Sequence, residues 1–88
     1  MIVSLEEAKN YLRIDTNFED TLIENLLNSS QSLCADIARM TVEEFETQGD
    51  VAKIATLYAL GYFYGNREES DYTKLTLTLR ALLFSIRE

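Results

Sequence analysis

The chain has 88 residues, 15 acidic against 8 basic side chains, a net charge of −7, one cysteine and no histidine or proline. That length bounds one domain, residues 1–88, and a chain of this size buries only somewhat over ~60 % of its unfolded surface. The 47 % apolar content rules out a disordered chain, and without a lysine or arginine cluster it lacks what sequence-independent phosphate binding requires.

Ser4 opens the first element as an N-cap, and Glu7 three residues later completes a capping box. Leu5, Ala8 and Leu12 recur at helical spacing, which predicts a short helix to about Leu12 or Arg13, with Ile14 plugging into the core beyond its end. Asp15-Thr16-Asn17 reads as a turn, with Thr16 and Glu19 as a second capping box. The second helix is predicted from about Phe18 to Arg39, its stripe formed by Leu22, Ile23, Leu26, Leu27, Leu33, Cys34, Ile37 and Ala38. Its middle, Asn28 to Ser32, is polar and suits either a close helix approach or a bend. Thr41 and Glu44 form a third capping box opening a single helical turn, anchored by Phe45, and Gln48-Gly49-Asp50 resets the chain.

The next stretch, VAKIATLYALGYFYGNRE from Val51 to Glu68, is the most informative. It reads as a helix that is apolar on every face, interrupted only by Lys53 and Thr56. Such a helix sits at the centre of a bundle or is covered by another chain, and few helices are at hand here to surround it. Gly65 suits the left-handed conformation after a helix end, and Arg67 to Thr73 forms a charged loop. The last segment is ambiguous locally, since Thr73 to Leu79 alternates like a strand. Over the longer window Leu75, Leu79, Leu82, Leu83 and Ile86 fit a helix, and a lone strand would have nothing to pair with. The predicted fold is therefore all-α: a small bundle of about four helices, two longer ones antiparallel and shorter ones at the termini.

Little in the chain suits catalysis. Without histidine the commonest general base and neutral metal ligand are missing. Cys34 lies on the apolar stripe of the second helix, where burial raises a thiol's pKa and leaves it structural. A single cysteine excludes an internal disulfide and fits a reducing interior. Glu6-Glu7, Glu19-Asp20 and Glu43-Glu44 all fall in first turns, where capping and the helix dipole explain them without a metal or an acid–base pair. Three scattered glycines make no phosphate loop. The expectation is a protein that is not an enzyme and holds no cofactor or metal. Met1-Ile2-Val3 lacks the basic flank of a signal peptide. As a helix Val51 to Tyr64 spans ~21 Å, short of a bilayer crossing, and the net charge opposes an anionic membrane. A soluble, cytoplasmic protein with no membrane partner is expected.

The tyrosines are the candidates for function. Tyr58, Tyr62 and Gly65 share one face of the apolar helix, with Leu57, Gly61 and Tyr64 on another. Tyrosine combines large contact area with a polar tip and is enriched at interfaces. Tyr58, Tyr62 and Tyr64 therefore either fill the core with their hydroxyls at its rim or meet a neighbouring subunit. Asn66 and Arg67 either cap the helix end, where a cation is favoured, or, through Arg67, pair with a carboxylate of another subunit.

The pattern I-x-x-L-x-x-L-G-Y-F-Y-x-N-R-E of Ile54 to Glu68, late in a small acidic helical protein, resembles the gp6-type head–tail connector proteins of tailed phages. SLEEAKNYLRID at the start, EDTLIENLLNSS after it and L-x-x-x-L-R-A-L-L-F-S-I-R-E at the end are similar to that family's first two and last helices, so the resemblance spans Ile2 to Glu88. One departure is the missing proline that often opens the last helix in relatives. The resemblance implies a structural virion protein at the head–tail junction, made in the host cytoplasm and acting in assembly and the completion of DNA packaging. It implies a homo-oligomeric ring beneath the portal protein, joined by head–tail completion proteins, with DNA passing through without sequence-specific binding. It also inclines Asn66, Arg67 and Glu68 towards an assembly role. The alternative from the residues is a small helical adaptor or regulatory module that takes a partner helix in an apolar groove. A helix-turn-helix DNA reader ranks third, because no predicted helix carries a basic recognition face.

Overall fold

Five helices follow one another in the computed structural model, which describes residues 2–65 and 73–86: α1 (Leu5–Leu12), α2 (Asp20–Ala38), α3 (Val42–Phe45), α4 (Asp50–Gly65) and α5 (Thr73–Leu83). The chain is all-α, and α3 is the single turn expected after Thr41. Two of the three expected capping boxes form. At α1 the Ser4 hydroxyl accepts from the Glu7 amide while Glu7 Oε1 accepts from the Ser4 amide, both at 3.1 Å. At α3 Thr41 and Glu44 exchange the same pair of bonds.

The third box, Thr16 with Glu19, is not made. Helix α2 starts at Asp20, two residues later than expected, and its N-cap Glu19 makes no side-chain capping bond. Lys9 secures this corner instead: its ammonium donates to Asn17 Oδ1 at 2.7 Å and pairs with Asp20 at 2.9 Å. Lys9 ties α1 to the start of α2, while the first amides of α2 receive no side-chain cap. Phe18, left outside the helix, is 93 % exposed.

Both α1 and α2 end on an arginine in the left-handed region, Arg13 at φ 60° and Arg39 at φ 61°. In each, the following amide reaches back to a carbonyl of the last turn, Ile14 to Lys9 at 2.9 Å and Met40 to Ala35 at 3.1 Å. These bonds satisfy carbonyls that the helix cannot satisfy itself and offset the left-handed strain of a side chain with a Cβ. Gly49 takes φ 72° just before α4, a conformation in which its lack of a Cβ is decisive. Gly65, expected to turn left-handed, remains helical.

Helices α2 and α4 form the spine and run antiparallel. Ile23 and Leu27, early in α2, share a buried cluster with Leu60, late in α4. Cys34, Ala35 and Ala38, late in α2, join Ala52, Ala55 and Ala59 in a second cluster. The side chains that meet between them are small. Ser30 and Thr56 lie fully buried on the two helices and turn their hydroxyls back on their own chain, to Leu26 O at 2.7 Å and Ala52 O at 2.8 Å. A hydroxyl bonded to the carbonyl four residues back carries no unsatisfied polarity into the core. The polar middle of α2 has Ser30 and Gln31 inward and Asn28, Ser29 and Ser32 outward.

The remaining helices close the two clusters. Helix α5 buries Leu75, Leu79 and Leu83, at i, i+4 and i+8, into the second cluster with Phe45 of α3. Helix α1 adds Ala8 to the first, along with Val3, and Leu12 and Ile14 pack beside them as expected. The backbone amide of Ile2 donates to the buried Gln31 at 3.2 Å, which pins the start of the chain to the middle of α2.

Candidate functional site: the outward faces of α4 and α5

Helix α4 is apolar almost throughout, and the structure sorts its residues by size. Its buried residues are Ala52, Ala55, Thr56, Ala59 and Leu60. Thr56, expected to interrupt the apolar surface, is part of the buried stripe. The larger Ile54 and Tyr58 are 57 % and 38 % exposed. Three alanines, Thr56 and Leu60 face the core, while Ile54 and Tyr58 point outward.

Helix α1 covers one flank of this outward face. Lys53 Nζ donates to Glu7 Oε2 at 2.7 Å, linking α4 to the first turn of α1. Glu7 thus serves the capping box with one oxygen and the ion pair with the other. The Lys53 ammonium, and after it the Ser4 amide, hold the Glu7 carboxyl below its ordinary pKa, and Glu7 in turn raises that of Lys53. One turn further along α1, Tyr11 lies against Gly61 and remains half-exposed.

The three candidate tyrosines are separated in space. Tyr58 is the one that faces outward. Tyr62 is half-buried and packs against the second cluster. Tyr64 is half-buried, and its hydroxyl donates to Glu19 Oε1 at the start of α2. Asn66, Arg67 and Glu68 lie outside the described residues.

A second outward apolar ridge, unmarked in the sequence reading, belongs to α5. Leu77 is 60 % and Phe84 77 % exposed, the latter in the turn that closes the helix. The signal was present: Leu77 and Phe84 are the large apolar residues that the helical stripe of Leu75, Leu79, Leu82, Leu83 and Ile86 leaves over. Tyr11 and Ile54 were likewise passed over, Ile54 because no single residue stands out in a wholly apolar run.

Chemically, these faces offer contact. Cys34 is fully buried, and loss of solvation pushes its thiol up to about 12, with the Thr56 hydroxyl acting in the opposite direction. A thiol held protonated is not a nucleophile at neutral pH. Among the described residues, no group of three or more His, Cys, Asp or Glu side chains is placed to hold a metal ion, and no helix is long and apolar enough to cross a membrane. One shallow surface cleft lies along α1, lined by Leu5, Glu6, Lys9, Asn10, Ile14 and Asp15. Another lies at the end of α2, lined by Asp36, Arg39, Met40, Thr41 and Glu44.

No curated protein and no solved structure matches the chain. A family model does, over residues 2–87, and its description is phage gp6-like head-tail connector protein. A helical chain matched from its second residue almost to its last belongs to the phage gp6-like head–tail connector family.

Proposed function

We propose that the whole chain acts as one helical connector domain, assembling through heterologous contacts into a closed ring at the head–tail junction of a tailed phage or prophage. The observation that carries this reading is the family match over residues 2–87. The outward faces of α4 and α5 support it, since a chain this small gains much from burying Ile54, Tyr58, Leu77 and Phe84 against other subunits. A repeated head-to-tail contact whose rotation closes generates a ring without any further device.

In that setting the ring lies below the portal protein, head–tail completion proteins dock on it, and DNA passes through it as packaging is completed. The work is assembly, with no bond made or broken. The net charge of −7 suits a lumen lined mostly by Asp and Glu, which would repel phosphates and let a duplex slide. A lumen lined by lysine and arginine in an assembled ring would overturn that part of the reading.

The test is size-exclusion chromatography with light scattering across a concentration series, with and without the portal protein, and negative-stain imaging of any large species. A closed many-subunit ring in either series is the expected result. A chain that remains monomeric or dimeric in both, and gains order only with a foreign helical peptide, would overturn it in favour of a helical adaptor.

A further inference from the structure

We infer that neighbouring subunits join by docking the outward ridge of α5 on one copy, Leu77 and Phe84, onto the outward ridge of α4 on the next, Ile54 and Tyr58. The inference rests on the ring reading above and names the two surfaces that make the contact.

The first argument is charge. Among the described helices, α5 alone carries cations without a carboxylate. Its two cations, Lys74 and Arg80, are exposed, and helical spacing sets them on either side of Leu77. The α4 ridge has the opposite character. Asp50, Ile54 and Tyr58 follow at i, i+4 and i+8, all exposed, so the acid lies in line with the apolar pair. The one cation nearby, Lys53, is already drawn to Glu7. Copies that each carry −7 repel one another unless cationic surface meets anionic surface, and like-charge juxtaposition at a contact is costly. Two α5 ridges facing each other would bring Lys74 and Arg80 against their own kind. Two α4 ridges would do the same with Asp50. Only α5 against α4 is attractive in both charge and apolar character.

The second argument is geometry. Each ridge lies opposite the buried stripe of its own helix, Leu75–Leu79–Leu83 for α5 and Ala52–Ala55–Ala59 for α4. They belong to two different helices of one copy, and a head-to-tail contact joins two different patches. Along the helix axis Leu77 to Phe84 spans ~11 Å and the apolar pair Ile54 to Tyr58 ~6 Å, with Asp50 one turn before it.

The test uses two full-length variants, each with one disabled face: Ile54→Asp with Tyr58→Asp, and Leu77→Asp with Phe84→Asp. Each alone is expected to be monomeric where the wild type assembles. Mixed in equal amounts, they should form a 1:1 dimer and nothing larger, because one good α4 face and one good α5 face remain. All four positions are exposed, so circular dichroism and melting temperature should match the wild type. A gentler pair, Lys74→Glu with Arg80→Glu, keeps the apolar ridge and should weaken association about tenfold at low ionic strength, with the deficit shrinking in salt. Wild-type rings with variants that assemble equally well would overturn the assigned faces and leave the ring reading standing, as would folded variants whose mixture stays monomeric. A wild type that forms no ring with or without portal protein would overturn the ring reading itself, and the inference with it.

Discussion

Gly61 of α4 lies directly beneath the ring of Tyr11 in α1: a Cβ placed on Gly61 would come 3.2 Å from Tyr11 Cε2 and 3.7 Å from its hydroxyl. The contact is tight, but the neighbour is the far end of a half-exposed side chain that has room to swing outward. Alanine is favoured over glycine within a helix by ~1 kcal/mol. Gly61→Ala is therefore expected to raise stability slightly, by about 0.5 kcal/mol after Tyr11 gives way. Gly61→Leu should displace Tyr11 altogether and lower the melting temperature. Chemical denaturation of the pair checks both signs.

The Glu7–Lys53 bridge sets a pH dependence at the acid end. The Glu7 carboxyl is held below its ordinary value of 4.5 by Lys53. A depressed carboxylate contributes stability that is present above its unfolded pKa and lost as pH falls through its folded pKa. The contribution should therefore be constant at neutral pH and fade below about 4.5. Lys53→Met should flatten that part of the profile with little change at pH 7, since exposed ion pairs contribute weakly. A pH series of thermal melts on both proteins measures it.

Cys34 predicts the opposite limb. Burial raises its thiol from 9.0 to about 12. An acid whose folded pKa is raised contributes stability that is complete below the unfolded pKa and lost as pH climbs towards the folded one. Stability should decline between pH 9 and 12, at most ~1.4 kcal/mol per pH unit from this group. Cys34→Ala should show a shallower decline at the same pH. In the native protein, thiol reagents at neutral pH should label Cys34 only at the rate of unfolding.

Leu77 and Leu79 separate the two readings of the last segment. A strand would place them on the same face, whereas α5 buries Leu79 and leaves Leu77 60 % exposed. Leu79→Ala should cost ~2–5 kcal/mol, as for a leucine removed from a packed core. Leu77→Ala should change monomer stability by less than ~0.5 kcal/mol. Urea titrations of the two variants are sufficient.

Arg67 lies outside the described residues, and the expectation for it comes from the resemblance of Asn66-Arg67-Glu68 to the connector family. Arg67→Ala should weaken oligomers more than it weakens the fold. Light scattering beside circular dichroism decides this, and equal loss of assembly and helicity would count against an interface role.

Much of this protein was legible in the sequence because it depends on short-range physics. The capping boxes at Ser4 and Thr41 need only a residue and its neighbour three positions on, and the stripe Leu75–Leu79–Leu83 needs only the helical repeat. The order and spacing of the helical patterns from Ile2 to Glu88, with the Tyr-x-Asn-Arg-Glu tag, suggested the family. Tertiary structure decided everything that depends on distant partners. Lys9 reaches Asn17 and Asp20 at the corner where the box expected at Thr16 does not form, and Arg13 and Arg39 end their helices left-handed where no glycine marks the stop. In α4 every face is apolar, so periodicity could not say which side is inside. The answer came from where α2, α3 and α5 pack, which puts Ala52, Ala55 and Ala59 in one buried cluster with Cys34, Ala35 and Ala38 of α2. That packing turned the alanines and Leu60 inward, with Tyr62 against the core, the Tyr64 hydroxyl on Glu19, and Ile54 and Tyr58 facing out.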